Sequence, residues 1–256
     1  MSASTRRRDI LDRLVADGYV EAKALARELG VDTSTIRRDL DALVRLGRAE
    51  RTHGGARRTV DGDLADIPYA VKEHTHTAEK ALIGQEAARR VRDGDRVILD
   101  SGSTTYQVAA ALRHRSDLTI LTNDLRIGKF VATLPHVRLL VTGGELLGSV
   151  FTLVGERTVE FLSDYSVDWT FLGADAIDPD AGITNTNTLE IPVKRAMIAA
   201  AARTVVVADS SKFGHRALAR VATLTEVDTI LTDPGLPPDQ VGRYGDGLHR
   251  LDQAPH

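Results

Sequence analysis

The chain has 256 residues, 42% hydrophobic and 27% charged, with a formal net charge of −3 and no cysteine. These values describe a globular protein long enough for one or two domains, and they exclude a disulfide framework, a cysteine nucleophile and a thiolate metal site. No run approaches the ~20 apolar residues that span a bilayer, and Arg6-Arg7-Arg8 is not followed by the apolar stretch of a secretory leader, so a cytoplasmic protein without membrane contact is expected.

The first predicted helix covers Arg6 to Asp17, with Ile10, Leu11, Leu14 and Val15 at helical spacing and Gly18 after it. Ala22 to Leu29 is a second, short helix, with Leu25 and Leu29 inward. Gly30 supplies a tight turn, and Asp32 is an N-cap residue for a third helix that Gly47 ends after Leu46. Ile36, Leu40 and Leu43 make one apolar stripe on that helix, while Ser34, Arg37, Arg38 and Asp41 fall opposite. Helix, helix, glycine-containing turn, helix is the helix-turn-helix pattern, and the last helix is the reader of duplex DNA. The expected contacts are Thr33, Ser34, Thr35, Arg37 and Arg38, the two guanidiniums gripping phosphates or guanine edges. Residues 48–56 follow as a small hairpin, or wing, with Arg51 and His53 placed to meet backbone phosphate. Charge supports the reading: residues 1–58 hold 13 Lys+Arg against 9 Asp+Glu, a net of +4, whereas the remainder holds 20 against 27, a net of −7.

Arg57-Arg58, Asp61-Gly62-Asp63 and Pro68 read as a linker. The expected organisation is therefore a winged helix-turn-helix domain over residues 1–57, a linker over 58–76, a larger domain over 77–240 and a tail over 241–256. In the larger part, helices predicted at Glu79 to Arg92, Tyr106 to Leu112, Ile127 to Leu134 and Glu190 to Arg203 alternate with strands. The strands are Val97 to Leu99, Leu118 to Leu121, Val137 to Val141, Trp169 to Leu172, Val205 to Val207 and Thr229 to Leu231. Short, wholly apolar strands between helices give a Rossmann-like α/β domain with a largely parallel sheet covered on both faces.

The strand ends are polar, and ligands of open α/β sheets bind outside the carboxyl ends of the strands. Five such ends offer Asp100, Ser101, Gly102, Ser103, Thr104, Thr105, Asn123, Gly143, Gly144, Asp175 and Lys212. Ser101-Gly102-Ser103-Thr104-Thr105 suits phosphate: hydroxyls donate, glycine admits the backbone, and the next helix presents free amides. Lys212 adds a point charge and Asp175 an acceptor for sugar hydroxyls. No G-x-x-x-x-G-K-[ST] run and no G-x-G-x-x-G fingerprint is present, so ATP and NAD are not expected and no cofactor is assigned.

Taken in order, Thr35-Ile36-Arg37-Arg38-Asp39-Leu40, His53-Gly54-Gly55-Ala56, the Asp100 to Thr105 loop, Thr122-Asn123, Gly143-Gly144, Phe171-Leu172-Gly173-Ala174 and Asp209-Ser210-Ser211-Lys212-Phe213-Gly214 resemble the DeoR family of bacterial transcriptional regulators. The resemblance runs from about residue 6 to residue 232. It implies a winged helix-turn-helix joined to a sensor for a phosphorylated sugar, a homo-oligomer, and repression of operator DNA released by the metabolite. Asp32 stands where the family often has Ser, and Ala49-Glu50 where a more apolar pair is commoner. The sensor part is also similar to ribose-5-phosphate isomerases at Gly173-Ala174-Asp175 and Asp209-Ser210-Ser211-Lys212. Those enzymes carry an Asp, a Lys and a Glu where this chain has Leu172, Thr184-Asn185-Thr186-Asn187 and Val193-Lys194-Arg195. Proton transfer between carbons needs a carboxylate, and Leu172 has none, so a binding fold without catalytic residues is expected. The alternative is an active sugar-phosphate isomerase with a DNA-binding appendage, Glu190 being a spare acid nearby.

Overall fold

A computed structural model describes residues 3–17, 19–45, 48–52, 54–58, 72–73, 75–147 and 150–252. Gly18, Leu46, Gly47, His53 and most of the expected linker lie outside the described residues. The chain divides into two compact units, Met1–Gly62 and Asp63–His256.

In the first unit, α1 (Ala3–Asp17), α2 (Ala22–Glu28) and α3 (Thr33–Arg45) pack with an antiparallel sheet of β1 (Tyr19–Glu21), β2 (Ala49–Thr52) and β3 (Gly55–Arg58), in the order β1-β3-β2. The stripe Ile36, Leu40 and Leu43 fixes the orientation of α3, sharing one core with Ile10, Leu14, Leu25 and Ala56. Gly30 takes a left-handed φ of 64° between α2 and α3. The Asp32 carbonyl then accepts the amides of Thr35 and Ile36 at 2.9 and 3.2 Å, which opens α3. The three-residue strand β1 was not expected. It explains Gly55, where a Cβ would stand 2.0 Å from the Val20 carbonyl oxygen. Gly55→Ala is therefore expected to cost about 1–3 kcal/mol, measured by urea unfolding of the whole chain, through loss of the β1–β3 pairing.

The second unit is built on a seven-stranded sheet. Its strands are β4 (Arg96–Leu99), β5 (Thr119–Thr122), β6 (Arg138–Val141), β9 (Trp169–Leu172), β12 (Thr204–Val207), β14 (Thr229–Thr232) and β15 (Leu248–Arg250). The order is β15-β14-β12-β9-β4-β5-β6 and every pairing is parallel. Side chains alternate along each strand into two cores. Ile98, Leu172 and Val206 enter one; Val97, Leu99, Phe171 and Val205 enter the other. The helices are α4 (Thr77–Arg89), α5 (Ser103–Ala111), α6 (Leu125–Val131), α7 (Glu156–Ser163), α8 (Glu190–Ala200) and α9 (Pro238–Val241). A hairpin of β7 (Glu145–Leu147) and β8 (Thr152–Val154), and a three-stranded sheet β10-β11-β13 (Ala176–Asp178, Gly182–Asn185, Ala219–Ala222), complete the unit.

The sheet grows one way from β4 through β5 to β6 and the other way through β9 to β15, so the strand order reverses between β4 and β9. In such sheets the crevice for ligand lies outside the carboxyl ends at that reversal. The expected tail over 241–256 needs correction. Leu248–Arg250 is the edge strand of the sheet, in register with Ile230–Thr232, and Tyr244 is buried beside Phe213, ring centroids 5.0 Å apart. Among the described residues, no helix is long and apolar enough to cross a membrane.

Candidate functional site

Two surfaces carry the expected site residues, one in each unit. On α3, Arg37, Arg38 and Ser34 are exposed, and Thr33 and Thr35 are half-buried. Neighbouring acids do not neutralise the two guanidiniums. Asp39 turns into the core, where Arg6 meets it at 2.5 Å and Arg7 at 2.8 Å. Asp41 is held by Arg51 at 2.9 Å. Both carboxylates of the helix are thus paired, while Arg37 and Arg38 have no ion-pair partner among the described residues. Arg51 also donates to the Gly55 carbonyl at 3.1 Å. It therefore fastens the wing to α3.

In the second unit, the loop after β4 is braced before it is free to bind. Asp100 is buried, and its Oδ2 accepts the Gly173 amide at 3.0 Å, which ties the end of β4 to the end of β9 across the reversal point. The same oxygen accepts Lys194, whose ammonium also donates to the Gly173 carbonyl at 3.1 Å. Burial alone would lower the Lys194 pKa, but Asp100 and Glu190 outweigh it and hold the ammonium above its ordinary value. Ser101 bonds to the Thr152 hydroxyl of β8, and the Gly102 amide donates to Asp124 at 3.3 Å. The Thr105 hydroxyl donates to the Gly102 carbonyl at 2.9 Å. The hydroxyls of Ser103 and Thr104 remain without a partner among the described residues. So do the first-turn amides of α5, which helix geometry leaves without an i−4 acceptor.

Asn123 and the glycine pair serve as framework. Asn123 Nδ2 donates to the Leu153 carbonyl at 3.2 Å, and its own carbonyl accepts the Leu153 amide at 2.7 Å, which docks β8 on the end of β5. At Gly144, with φ of 113°, a Cβ would fall 2.2 Å from Thr158 Oγ1. Gly143 accepts the Thr158 hydroxyl at 2.8 Å through its carbonyl. Asp124, which sequence reasoning missed, N-caps α6 through the amides of Arg126 and Ile127 at 2.7 and 3.1 Å. Burial pushes its carboxyl up to about 6 against the pull of those amides. An Asp immediately before Leu125-Arg126-Ile127 is a cap signal that was available in the sequence.

Across the reversal, Asp175 Oδ1 accepts Lys72 at 2.8 Å and Oδ2 accepts the Thr186 amide at 3.0 Å. Burial raises its pKa, Lys72 overrides that, and the carboxyl settles at about 2. Lys212 is half-buried in the turn after β12, next to Asp209, which accepts the Ser211 amide at 3.2 Å. Lys80 and Lys72 were not foreseen. Lys80 is buried on α4 and donates to the Lys72 and Thr75 carbonyls at 2.5 and 2.7 Å. Burial drops its pKa to about 8; Lys212 and Lys72 push the same way, and Asp209 opposes them. Lys80 thus feels the charges of Lys72, Lys212 and Asp209, and Asp175 that of Lys72. Hydroxyls, free amides and ammonium groups suit an oxyanion, and a carboxylate suits hydroxyls. Among the described residues, no cluster of His, Cys, Asp and Glu fits a metal ion.

The chain matches the model of the DeoR-like helix-turn-helix domain over residues 6–60 and that of the DeoR C terminal sensor domain over residues 75–234. It belongs to the DeoR family of transcriptional regulators. This DeoR-family chain is 35% identical over 240 residues to a protein of Escherichia coli O157:H7 provisionally named aga operon transcriptional repressor, covering 93% of this chain and 89% of the relative. It is 31% identical over 233 residues to the glycerol-3-phosphate regulon repressor of Escherichia coli K12, covering 91% and 92%. With the transcriptional repressor AccR of Agrobacterium fabrum it shares 33% identity over 235 residues, covering 91% of each. Ribose 5 phosphate isomerase A of Neisseria gonorrhoeae superimposes with a TM-score of 0.38 at 16% identity over 54% of this chain and 53% of that one. The likeness to eIF2B delta of Chaetomium thermophilum has a TM-score of 0.47 at 15% identity over 61% and 56%. Neither structural likeness carries weight on function.

Relatives named as repressors make the DeoR-family chain a DNA-binding regulator and not an isomerase. In the structure Leu172 is fully buried, and the Glu190 carboxylate accepts Asn185 Nδ2 at 3.0 Å with Lys194 at 3.9 Å.

Proposed function

We propose that this DeoR-family protein represses a carbohydrate-metabolism operon in the cytoplasm as a homo-oligomer, dimer or tetramer, and leaves its operator when a phosphorylated sugar or related intermediate fills the strand-end cleft. The carrying observation is that the Ser103 and Thr104 hydroxyls and the first-turn amides of α5, the helix after β4 at the reversal point, have no partner among the described residues, while the loop after β9 carries Asp175 and the turn after β12 carries Lys212. Phosphate occupies the amides and ammonium groups, and Asp175 orients the polyol. A twofold assembly sets two copies of α3 one DNA turn apart, about 34 Å, with Arg37 and Arg38 as the principal contacts and Thr33, Ser34 and Thr35 beside them.

A thermal-shift screen of sugar phosphates, with hits repeated in an operator-mobility assay, tests the proposal. A ligand at a hundred times its Kd adds about 2.7 kcal/mol, a rise of several degrees. Failure of every phosphorylated metabolite would leave the second unit as a purely oligomerising domain. Ser103→Ala and Lys212→Ala are expected to shift the dose–response to about tenfold higher ligand while operator affinity without ligand stays the same; an unaltered curve removes those residues from the cleft. Affinity should also depend on pH. Lys80 is charged below about 8 and loses its proton above it, whereas a phosphate monoester with its second pKa near ~6 is already dianionic above neutrality. Binding therefore weakens between about pH 7 and pH 9, and Lys80→Arg, which keeps its charge, should flatten that profile.

A further inference from the structure

A polar cavity of about 230 Å³ lies at the amino ends of the central strands, lined by Arg90, Arg92, Asp95, Asp168, Trp169 and Arg203. Asp95 directly precedes β4, Trp169 opens β9, Arg203 directly precedes β12, and Arg90 and Arg92 follow α4. The strand-end cleft is at the opposite, carboxyl ends of the same sheet. Both carboxylates of this cavity are already engaged. Asp168 accepts Arg96 Nε at 3.1 Å, Arg96 Nη2 at 3.0 Å and the Arg96 amide at 2.8 Å. Asp95 Oδ2 accepts Trp169 Nε1 at 3.1 Å and the Arg92 amide at 2.8 Å.

The cations are not engaged in the same way. The guanidiniums of Arg90, Arg92 and Arg203 have no hydrogen-bond or ion-pair acceptor among the described residues. Arg203 lies over the Trp169 ring, its Cζ 4.9 Å from the centroid, a contact that holds the guanidinium while leaving its N–H donors without an oxygen acceptor. Arg90 Nε is buried with no hydrogen-bond partner among the described residues, which costs free energy unless an acceptor enters. A solvated surface accounts for Arg92 and Arg203, which are exposed, but not for the enclosed Nε of Arg90 beside them. With Arg96 included, four guanidiniums stand against two carboxylates, so the cavity is net positive.

We propose that this cavity is a second anion site, which takes a small oxyanion, inorganic phosphate or the phosphoryl group of a small metabolite, on Arg90, Arg92 and Arg203. The planar N–H fork of a guanidinium matches two oxygens of a phosphoryl group. The volume is below the ~300 Å³ at which sites for drug-sized ligands begin, which limits the ligand to the phosphoryl group and a few attached atoms. The two anion sites share no residue, so either can exist without the other.

Trp169 is the one tryptophan of the chain, so the tryptophan emission of the whole protein reports on this cavity. Titration of the full chain with inorganic phosphate at constant ionic strength should change that emission, with half-saturation at or below about 1 mM, and sodium chloride should not. A chain carrying Ser103→Ala with Lys212→Ala should give the same curve. Arg90→Gln, which leaves the contact of Arg203 with Trp169 in place, should raise the half-saturation at least about tenfold, and Arg203→Gln should do the same. Methyl phosphate separates the two sources: tighter binding than inorganic phosphate assigns the site to an esterified phosphoryl group, weaker binding to the free ion. No change in emission with either phosphate, or a change that persists in Arg90→Gln at the parent's half-saturation, overturns the proposal. So does a change that disappears in the Ser103→Ala, Lys212→Ala chain, which would assign the signal to the strand-end cleft.

Discussion

A chain carrying Arg37→Ala together with Arg38→Ala binds operator at least about thirtyfold more weakly than the parent, since each bidentate guanidinium contact is worth about 1–3 kcal/mol. The physical basis is the disposition of charge around α3. Asp39 is buried under Arg6 and Arg7, and Asp41 is taken by Arg51, so the exposed face presents two guanidiniums that no neighbouring carboxylate offsets. The two side chains are exposed and outside the core of Ile36, Leu40 and Leu43, which means the double variant should unfold at the parent's temperature. It should also keep its thermal response to sugar phosphate, whose cleft is in the other unit. Arg51→Ala is expected to weaken binding for a different reason, by exposing the Asp41 carboxylate on the reading face, and Asp41→Asn should recover part of that loss. Operator affinity unchanged in the double arginine variant would show that the front of α3 is not the reading surface.

Lys194→Met is expected to destabilise the chain by about 3–5 kcal/mol, the usual cost of leaving one partner of a buried ion pair alone. Asp100 and Lys194 are among the most enclosed charges in the second unit, their side chains 1% and 3% exposed. Removal of the ammonium leaves the carboxylate with the Gly173 amide in the narrow space between β4 and β9. At about 2–4 °C per kcal/mol for a domain of this size, Tm should fall by roughly 6–20 °C. Adding Asp100→Asn to Lys194→Met should return most of the loss, because a neutral amide replaces the uncompensated charge. A loss below about 1 kcal/mol would place the interaction in the surface class and remove it as the clamp of the reversal point.

The parts of this molecule that could be read from sequence are those whose physics is local. The α3 stripe is legible because Ile36, Leu40 and Leu43 repeat at helical spacing, and the six longer parallel strands because they are short apolar runs between helices. Hairpin β7–β8 escaped because Glu145-Leu146-Leu147 is largely exposed and three residues long, and β15 because Leu248-His249-Arg250 has only one buried apolar side chain. The first helix begins at Ala3 and the long helix after β11 stops at Ala200, three residues from each expected end, since fraying termini have no sharp sequence mark. At the cleft, residue types were legible but their partners were not. Asp100 and Asn123, expected as ligand contacts at strand ends, also brace the β4, β8 and β9 loops, which no local pattern announces. Lys194 has Glu190 four residues away at 3.9 Å, but its closer partner Asp100 is 94 residues away in sequence. Asp39 sits within the buried stripe of α3 only because arginines 33 and 32 residues earlier reach it.

The central claim is that an arginine-bearing helix holds a duplex and a separate cleft governs that grip. It is tested most directly by fluorescence anisotropy of the full chain on a labelled duplex selected from a random library, titrated with and without a saturating sugar phosphate identified by thermal shift. The account predicts salt-sensitive binding that the sugar phosphate weakens by about 5- to 150-fold. Equal affinity in both titrations, with the ligand demonstrably bound, would contradict it.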